Sequence, residues 1–187
     1  MNTNARHAYE IDAATKLAMA DLVGNQGLTL AALTARGPTL VIFLRHLGCV
    51  FCRQTLSDLR AARPALDARG IQIALVHMAS DRQAELVFRL YGLDDVARFA
   101  DPERSLYHAF GLRRVTMREL MSTQLFKRGF EACIHERHIM NIPRGDPMQM
   151  PGVFLAERGY VLASFVHAHP WDRPRYEDFA ATAATVS

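Results

Sequence analysis

Apolar positions recur along this chain with two different periods, and the switches between them outline its elements. From Glu10 to Val23, Ile11, Ala14, Ala18 and Leu22, with Met19 and Val23 alongside, fall at helical spacing and predict an amphipathic helix. Leu28 to Leu33 is ambiguous between a strand and a short connector. After the Gly37-Pro38 break, the run Thr39 to Leu44 is almost continuously apolar, as in a central strand buried on both faces. Gly48 permits a turn. Cys49, Cys52, Leu56, Leu59 and Leu66 then mark one stripe of a second helix. Pro64 should kink that helix or end its first section, and Gly70 closes the segment. Ile71 to Met78 is a second strong strand.

Ser80-Asp81-Arg82-Gln83 has the form of a capping box, with Ser80 as N-cap and Gln83 reaching back. Its helix should run to about Tyr91 and close at Gly92. Val96 to Ala100 is a further strand. Asp101-Pro102 places an N-cap and a first-turn proline before a short helix that ends at Gly111. Met117 to Phe126 has helical spacing, after which Pro143, Gly145 and Pro147 make the chain irregular. The stretch of about 113–149 is therefore an insertion, a lid or an interface. Pro151 to Ala156 restarts regular structure, Glu157-Arg158-Gly159 turns, and Tyr160 to His167 returns as a hairpin. Pro174 to about Thr182 is the closing helix. Parallel βαβ units followed by a hairpin predict an α/β fold, a mixed sheet with helices on both faces. One domain over 1–187 is expected, with an N-terminal helical extension over about 1–36.

With 187 residues, half of them hydrophobic, the chain can bury a sizeable core without disulfides. Three cysteines make no secreted disulfide framework. The polar N-terminus shows no signal peptide, and no apolar run reaches membrane-spanning length, so a soluble cytoplasmic protein is the expectation. The net charge of +3 comes from scattered arginines, Lys16 and Lys127 being the only lysines. That pattern is a solvated surface and not the basic stripe of a nucleic-acid binder.

Against this background Cys49-Val50-Phe51-Cys52 carries the chemistry. Two thiols at i and i+3 of a first helical turn have Cα atoms about 5–6 Å apart, within disulfide range. A helix start stabilises thiolate, the reactive form. This favours Cys49 as nucleophile, with Cys52 resolving the mixed disulfide or sulfenic acid. Arg45, His46 and Arg53 flank the pair and are candidates for lowering a thiol pKa, His46 also for moving a proton. The bland alternatives are two packed thiols, a solvated Arg53 and a polar His46.

The run Phe43 to Cys52, the segment Met150-Pro151-Gly152-Val153-Phe154-Leu155-Ala156-Glu157-Arg158-Gly159-Tyr160-Val161, and Asp172-Arg173-Pro174-Arg175-Tyr176 before the last helix resemble, in that order, the thioredoxin superfamily. More specifically, they resemble its peroxiredoxin-like (AhpC/TSA-type) members that carry a C-x-x-C. The resemblance covers about Leu30 to Ala183. It implies a thioredoxin-like fold and an antioxidant thiol oxidoreductase that reduces a hydroperoxide or a small disulfide. It further implies a thiol reductant, such as a thioredoxin or glutathione system, and no cofactor. It implies a cis Pro151 facing the dithiol, with the Met150 backbone pairing with substrate. Two departures stand out, one from typical thioredoxins, which have Trp before the pair and Gly-Pro within it where this chain has Gly48 and Val50-Phe51, and one from true peroxiredoxins. Cys49 occupies the place of a peroxiredoxin's threonine and Arg45 that of its proline, while the arginine before the late strand has no counterpart at Gln149 or Met150. Aligned this way, Cys52 would be the peroxidatic residue, so the order of the two thiols stays open.

Other constellations are weaker. Cys133-Ile134-His135-Glu136-Arg137-His138 fits no common zinc spacing, and His167-Ala168-His169 suits a strand end, so no metal is expected. Cys133 could also be a distant resolving thiol. The methionines Met117, Met121, Met140, Met148 and Met150 suit core filling or a homodimer contact. Two other classes remain: a non-catalytic binding protein with a vestigial dithiol, and a metal site from Cys49, Cys52 and a histidine.

Overall fold

The computed structural model describes residues 8–116 and 145–186. They form β1 (Tyr9–Glu10), α1 (Ala13–Asp21), α2 (Leu30–Arg36), β2 (Thr39–Phe43), α3 (Val50–Asp67), β3 (Gln72–His77), α4 (Asp81–Leu90), β4 (Ala97–Ala100), α5 (Ser105–Ala109), β5 (Gly152–Glu157), β6 (Tyr160–Val166) and α6 (Tyr176–Val186). The strands make one six-stranded sheet in the order β1-β6-β5-β2-β3-β4. β2, β3 and β4 run parallel; β5 runs antiparallel to β2 and to β6, and β1 to β6. This is the expected mixed sheet of an α/β fold.

The period-2 alternation of the central strands divides the core between the two faces. Leu40 and Ile42 of β2, with Ile73 and Leu75 of β3, pack under α3, α4 and α6 against Leu56, Leu59, Phe88 and Phe179. Val41 and Phe43, with Ala74 and Val76, face the other way, toward Met19 of α1, Leu33 of α2 and Leu106 of α5. On that second face Phe43 meets Tyr107, Phe110 and Phe154 with ring centroids 5.0–5.7 Å apart. Both faces of β2 are thus covered, which is why its sequence is continuously apolar.

Several elements differ from the sequence reading for local reasons. The first helix begins at Ala13, capped by Asp12 accepting from the Thr15 N–H (2.8 Å), because Tyr9–Glu10 joins the sheet beside β6. The ambiguous Leu28–Leu33 stretch holds the start of α2, whose N-cap Thr29 accepts from Ala32 N–H at 3.1 Å. The helix α3 runs through Pro64 to Asp67, its end anchored by the fully buried Leu66. Ser80 is the N-cap of α4, but its side chain makes no capping bond; the turn closes through the backbone, Gln83 N–H to Ser80 O at 3.0 Å. Asp101 caps α5 from further upstream than expected. Its carboxylate accepts from Ser105 N–H and Oγ and from Leu106 N–H, each at 2.9 Å, while Arg104 takes the left-handed N-cap position at φ 62°. The hairpin turn is Arg158-Gly159, with both residues left-handed at φ 46° and 85° as a two-residue turn requires.

The two ends of the expected insertion pair with each other. Val115 N–H donates to Met148 O (2.8 Å) and Met150 N–H to Arg113 O (3.0 Å), with Arg114 opposite Gln149 in antiparallel register. The expected helix over Met117–Phe126 and the roles weighed for Cys133, His135 and His138 lie outside the described residues.

Candidate active site

The site forms where β2 ends and α3 begins. Leu44 leaves the sheet with its N–H on Val76 O (2.9 Å), and the chain turns through Arg45 to Gly48. The turn closes with Cys49 N–H donating to His46 O at 2.9 Å, and Cys49 becomes the N-cap of α3. Beneath the turn, the buried Tyr107 hydroxyl sits 2.6 Å from Leu44 O and 3.1 Å from Val76 O, tying the ends of β2 and β3 together. Nothing in the local sequence marks Tyr107, because its partners are backbone carbonyls far along the chain.

Both thiols are free, and both are buried, Cys49 at 5% exposure and Cys52 at 4%. Their environments push them apart. The Cys52 thiol donates to the Cys49 sulfur, and this bond holds Cys49 well below the usual thiol range despite burial; positive charge on His46 and Arg45 adds to it. The same bond, with burial and the neighbouring Cys49 charge, raises Cys52 well above its usual value. Arg45 N–H also reaches the Cys52 sulfur at 3.2 Å. Burial is the largest influence on His46 and lowers its pKa from 6.5. The arrangement favours ionisation of Cys49 over Cys52, the direction that thiol–disulfide chemistry uses.

Arg45 is the residue on which the site turns. It is buried, its Nη1 lies 3.8 Å from the Cys49 sulfur, and its Nη2 donates to Pro147 O. His46 also belongs to the cluster. Arg53 contributes its backbone N–H to Cys49 O (3.2 Å), but its guanidinium is not among the groups that shift Cys49.

The Met150–Pro151 expectation needs correction. The described residues contain no cis peptide bond, so Pro151 is trans. A trans X–Pro bond is the lower-energy isomer, and here Met150 is held by the backbone pairing at the base of the insertion. Its N–H is used by Arg113 O and its carbonyl accepts from the Gln149 side chain at 3.2 Å. A substrate pairing there would have to displace both bonds.

Two groups around the dithiol were not anticipated. The segment Gly145–Gln149 lies over the turn: a Cβ on Gly145 would come 3.0 Å from Met78 and 3.5 Å from His46 Cβ. The Asp-Pro pair at Asp146-Pro147 is a turn signal that could have drawn attention to it. On another side, Phe51 meets the edge of Trp171, which stacks on His169 at 4.7 Å. Bonds from Arg173 to Asp58, at 2.9 and 2.6 Å, tie this loop to α3. Among the described residues no group of three or more His, Cys, Asp or Glu side chains is placed to hold a metal. No helix among them is long and apolar enough to cross a membrane.

A mixed sheet with a dithiol at the start of the helix after its central strand defines a thioredoxin-superfamily, peroxiredoxin-like protein. The chain belongs to the AhpC/TSA antioxidant enzyme family, whose profile matches residues 58–169. It is 27% identical over 162 residues to prostamide/prostaglandin F synthase of Salmo salar, covering 84% of this chain and 80% of that one. Peroxiredoxin-like 2C of Homo sapiens is 27% identical over 91 residues, 48% of this chain and 40% of that one. Among solved structures, peroxidoxin BcpB from Mycobacterium tuberculosis superposes with a TM-score of 0.62 at 12% identity, over 99% of this chain and 97% of that one. A cysteine-to-serine mutant of Xanthomonas campestris peroxiredoxin Q gives 0.60 at 18%, over 91% and 93%. At these identities the structures speak for the fold. Fold and family together support a redox function.

Proposed function

We propose that this protein is a thiol oxidoreductase that reduces a hydroperoxide, or a small disulfide, through Cys49 and Cys52. The observation that carries the reading is the pair of free, buried thiols at the start of α3 with Arg45 Nη1 3.8 Å from the Cys49 sulfur, an environment that lowers Cys49 and raises Cys52. Cys49 thiolate attacks the peroxide: the S–O bond forms, the O–O bond breaks, and the alkoxide takes a proton to leave as an alcohol. The Cys52 thiol then attacks the Cys49 sulfenic acid, forming the disulfide and releasing water. An external dithiol of the thioredoxin type, or two molecules of glutathione, reduces the Cys49–Cys52 disulfide by exchange and is itself left as a disulfide. With a disulfide substrate, Cys49 forms the mixed disulfide and Cys52 releases the second thiol. Met150 and Pro151 would meet substrate only after the insertion base shifts.

The test is mass spectrometry of thiol states after one equivalent of peroxide, on the wild type and on Cys49→Ser and Cys52→Ser. A Cys49–Cys52 disulfide in the wild type and a Cys49 sulfenic acid in Cys52→Ser are expected. A sulfenic acid on Cys52 in Cys49→Ser would reverse the order of the thiols, and unchanged thiols would sink the peroxidase form. Turnover with dithiothreitol against a thioredoxin system then identifies the type of donor.

A second reading rests on the relatives named prostamide/prostaglandin F synthase, which match over most of this chain. The same dithiol would then reduce a prostaglandin-type substrate, and consumption of that substrate by wild type but not Cys49→Ser would support it.

A further inference from the structure

The carboxylate of Asp146 is held from two sides, by Arg104 Nη1 at 2.5 Å and Arg114 Nε at 2.7 Å, and it accepts from Met148 N–H at 2.9 Å. Burial would raise this carboxyl, but the Met148 N–H and Arg114 bring it below its usual value. Next along the chain, Pro147 offers its carbonyl to Arg45 Nη2, and Arg45 Nη1 faces the Cys49 sulfur. Arg45 Nε, buried, has no hydrogen-bond partner. The guanidinium is therefore oriented by what lies at its far end: Cys49 on one nitrogen and Pro147 on the other. Pro147 O belongs to the same peptide unit as the Met148 N–H that Asp146 holds.

We propose that Asp146 is a positioning residue for Cys49: clamped by Arg104 and Arg114, it fixes Gly145–Gln149 so that Pro147 O aims Arg45 at the Cys49 sulfur. The inference rests on Cys49 being the working thiolate. A charged guanidinium this close to a buried sulfur is worth far more than one in water, so a small loss of aim weakens thiolate stabilisation. Asp146 is itself an anion, and its direct field disfavours the thiolate. Positioning and direct charge thus predict opposite signs when Asp146 is neutralised.

The experiment is the pH profile of Cys49 alkylation by iodoacetamide, read on the Cys49 peptide so that other thiols do not interfere. The groups facing this sulfur are Cys52, Arg45 and His46, and Asp146 in turn faces His46. Asp146→Asn is expected to move the midpoint upward by about one pH unit. In an Arg45→Gln background, Asp146→Asn is expected to add no further shift, since the effect travels through Arg45. Arg114→Gln, at a half-exposed residue, gives a smaller upward shift and faster amide exchange at Gly145–Met150 without threatening the fold. A downward shift or no shift in Asp146→Asn overturns the proposal. An upward shift that persists in Arg45→Gln also does, because it would run through His46. If peroxide converts wild-type Cys49 to the disulfide while Asp146→Asn leaves its profile unmoved, the oxidoreductase reading stands and the positioning role fails. If wild-type Cys49 ignores peroxide, the reading fails whatever the profile shows.

Discussion

The two faces of the sheet solve different problems with the same strand. Under α1, α2 and α5, Phe43, Phe110, Phe154 and the Tyr107 ring fill space with aromatic contacts; the Tyr107 hydroxyl is spent on two carbonyls. Under α3, the same length of β2 leads into a buried cluster of thiols, Arg45 and His46, with His77 and His167 nearby in the same layer. That layer leaves Arg45 Nε, His46 Nδ1, His77 Nε2 and His167 Nδ1 without hydrogen-bond partners. Buried polar groups of this kind cost stability. Both faces bury an apolar core, and the dithiol face in addition keeps buried polar groups at some cost in stability.

The sharpest way to break the comparison is Phe43→Ala. It should cost about 3–5 kcal/mol in denaturant unfolding, as for large aromatic truncations in cores, while leaving the Cys49 alkylation profile in place. A moved profile would show that the faces are not separable.

Next in size is acid sensitivity, which should belong to the dithiol face. Burial lowers His77 and His167 from 6.5 to about 4 each. Asp81 and the Ala79 carbonyl, against Arg98, surround His77; Asp172 and Pro151 O face His167. Between those values the unfolded chain binds protons that the folded chain refuses, so stability is full above pH 6.5 and lost as pH falls toward 4. Melting temperature against pH should show that slope, and His77→Gln with His167→Gln should flatten it.

A smaller effect is expected from Arg45→Gln: an upward shift of about one to two pH units in Cys49 alkylation, with far less loss of stability than Phe43→Ala. The smallest is Asp58→Asn, which breaks a largely exposed pair. It should cost no more than about 1 kcal/mol and be visible chiefly as faster exchange in the Trp171 loop.

Much of this was legible in the chain. The continuous apolarity of Thr39–Leu44 announced a strand covered on both faces, and the cysteine spacing announced two thiols at the start of the next helix. What the sequence hid was long-range. β1 is two residues that become a strand only by pairing with Tyr160 and Val161. The helix α2 depended on its Thr29 cap more than on an apolar stripe. Arg45 was picked out by its place next to Cys49, but its bond to Pro147 joins segments that no local pattern connects. The trans Pro151 shows the other limit: the cis isomer was suggested by resemblance alone and by nothing in the residues.

The Arg45–Pro147 bond spans 102 positions of sequence. Contacts of that separation are among the costliest to close entropically. The surroundings of the Cys49 sulfur include a guanidinium whose second partner is a carbonyl from a distant part of the chain. That part of the site exists only in the folded chain: neither the Cys49–Cys52 turn nor the segment around Pro147 contains it alone.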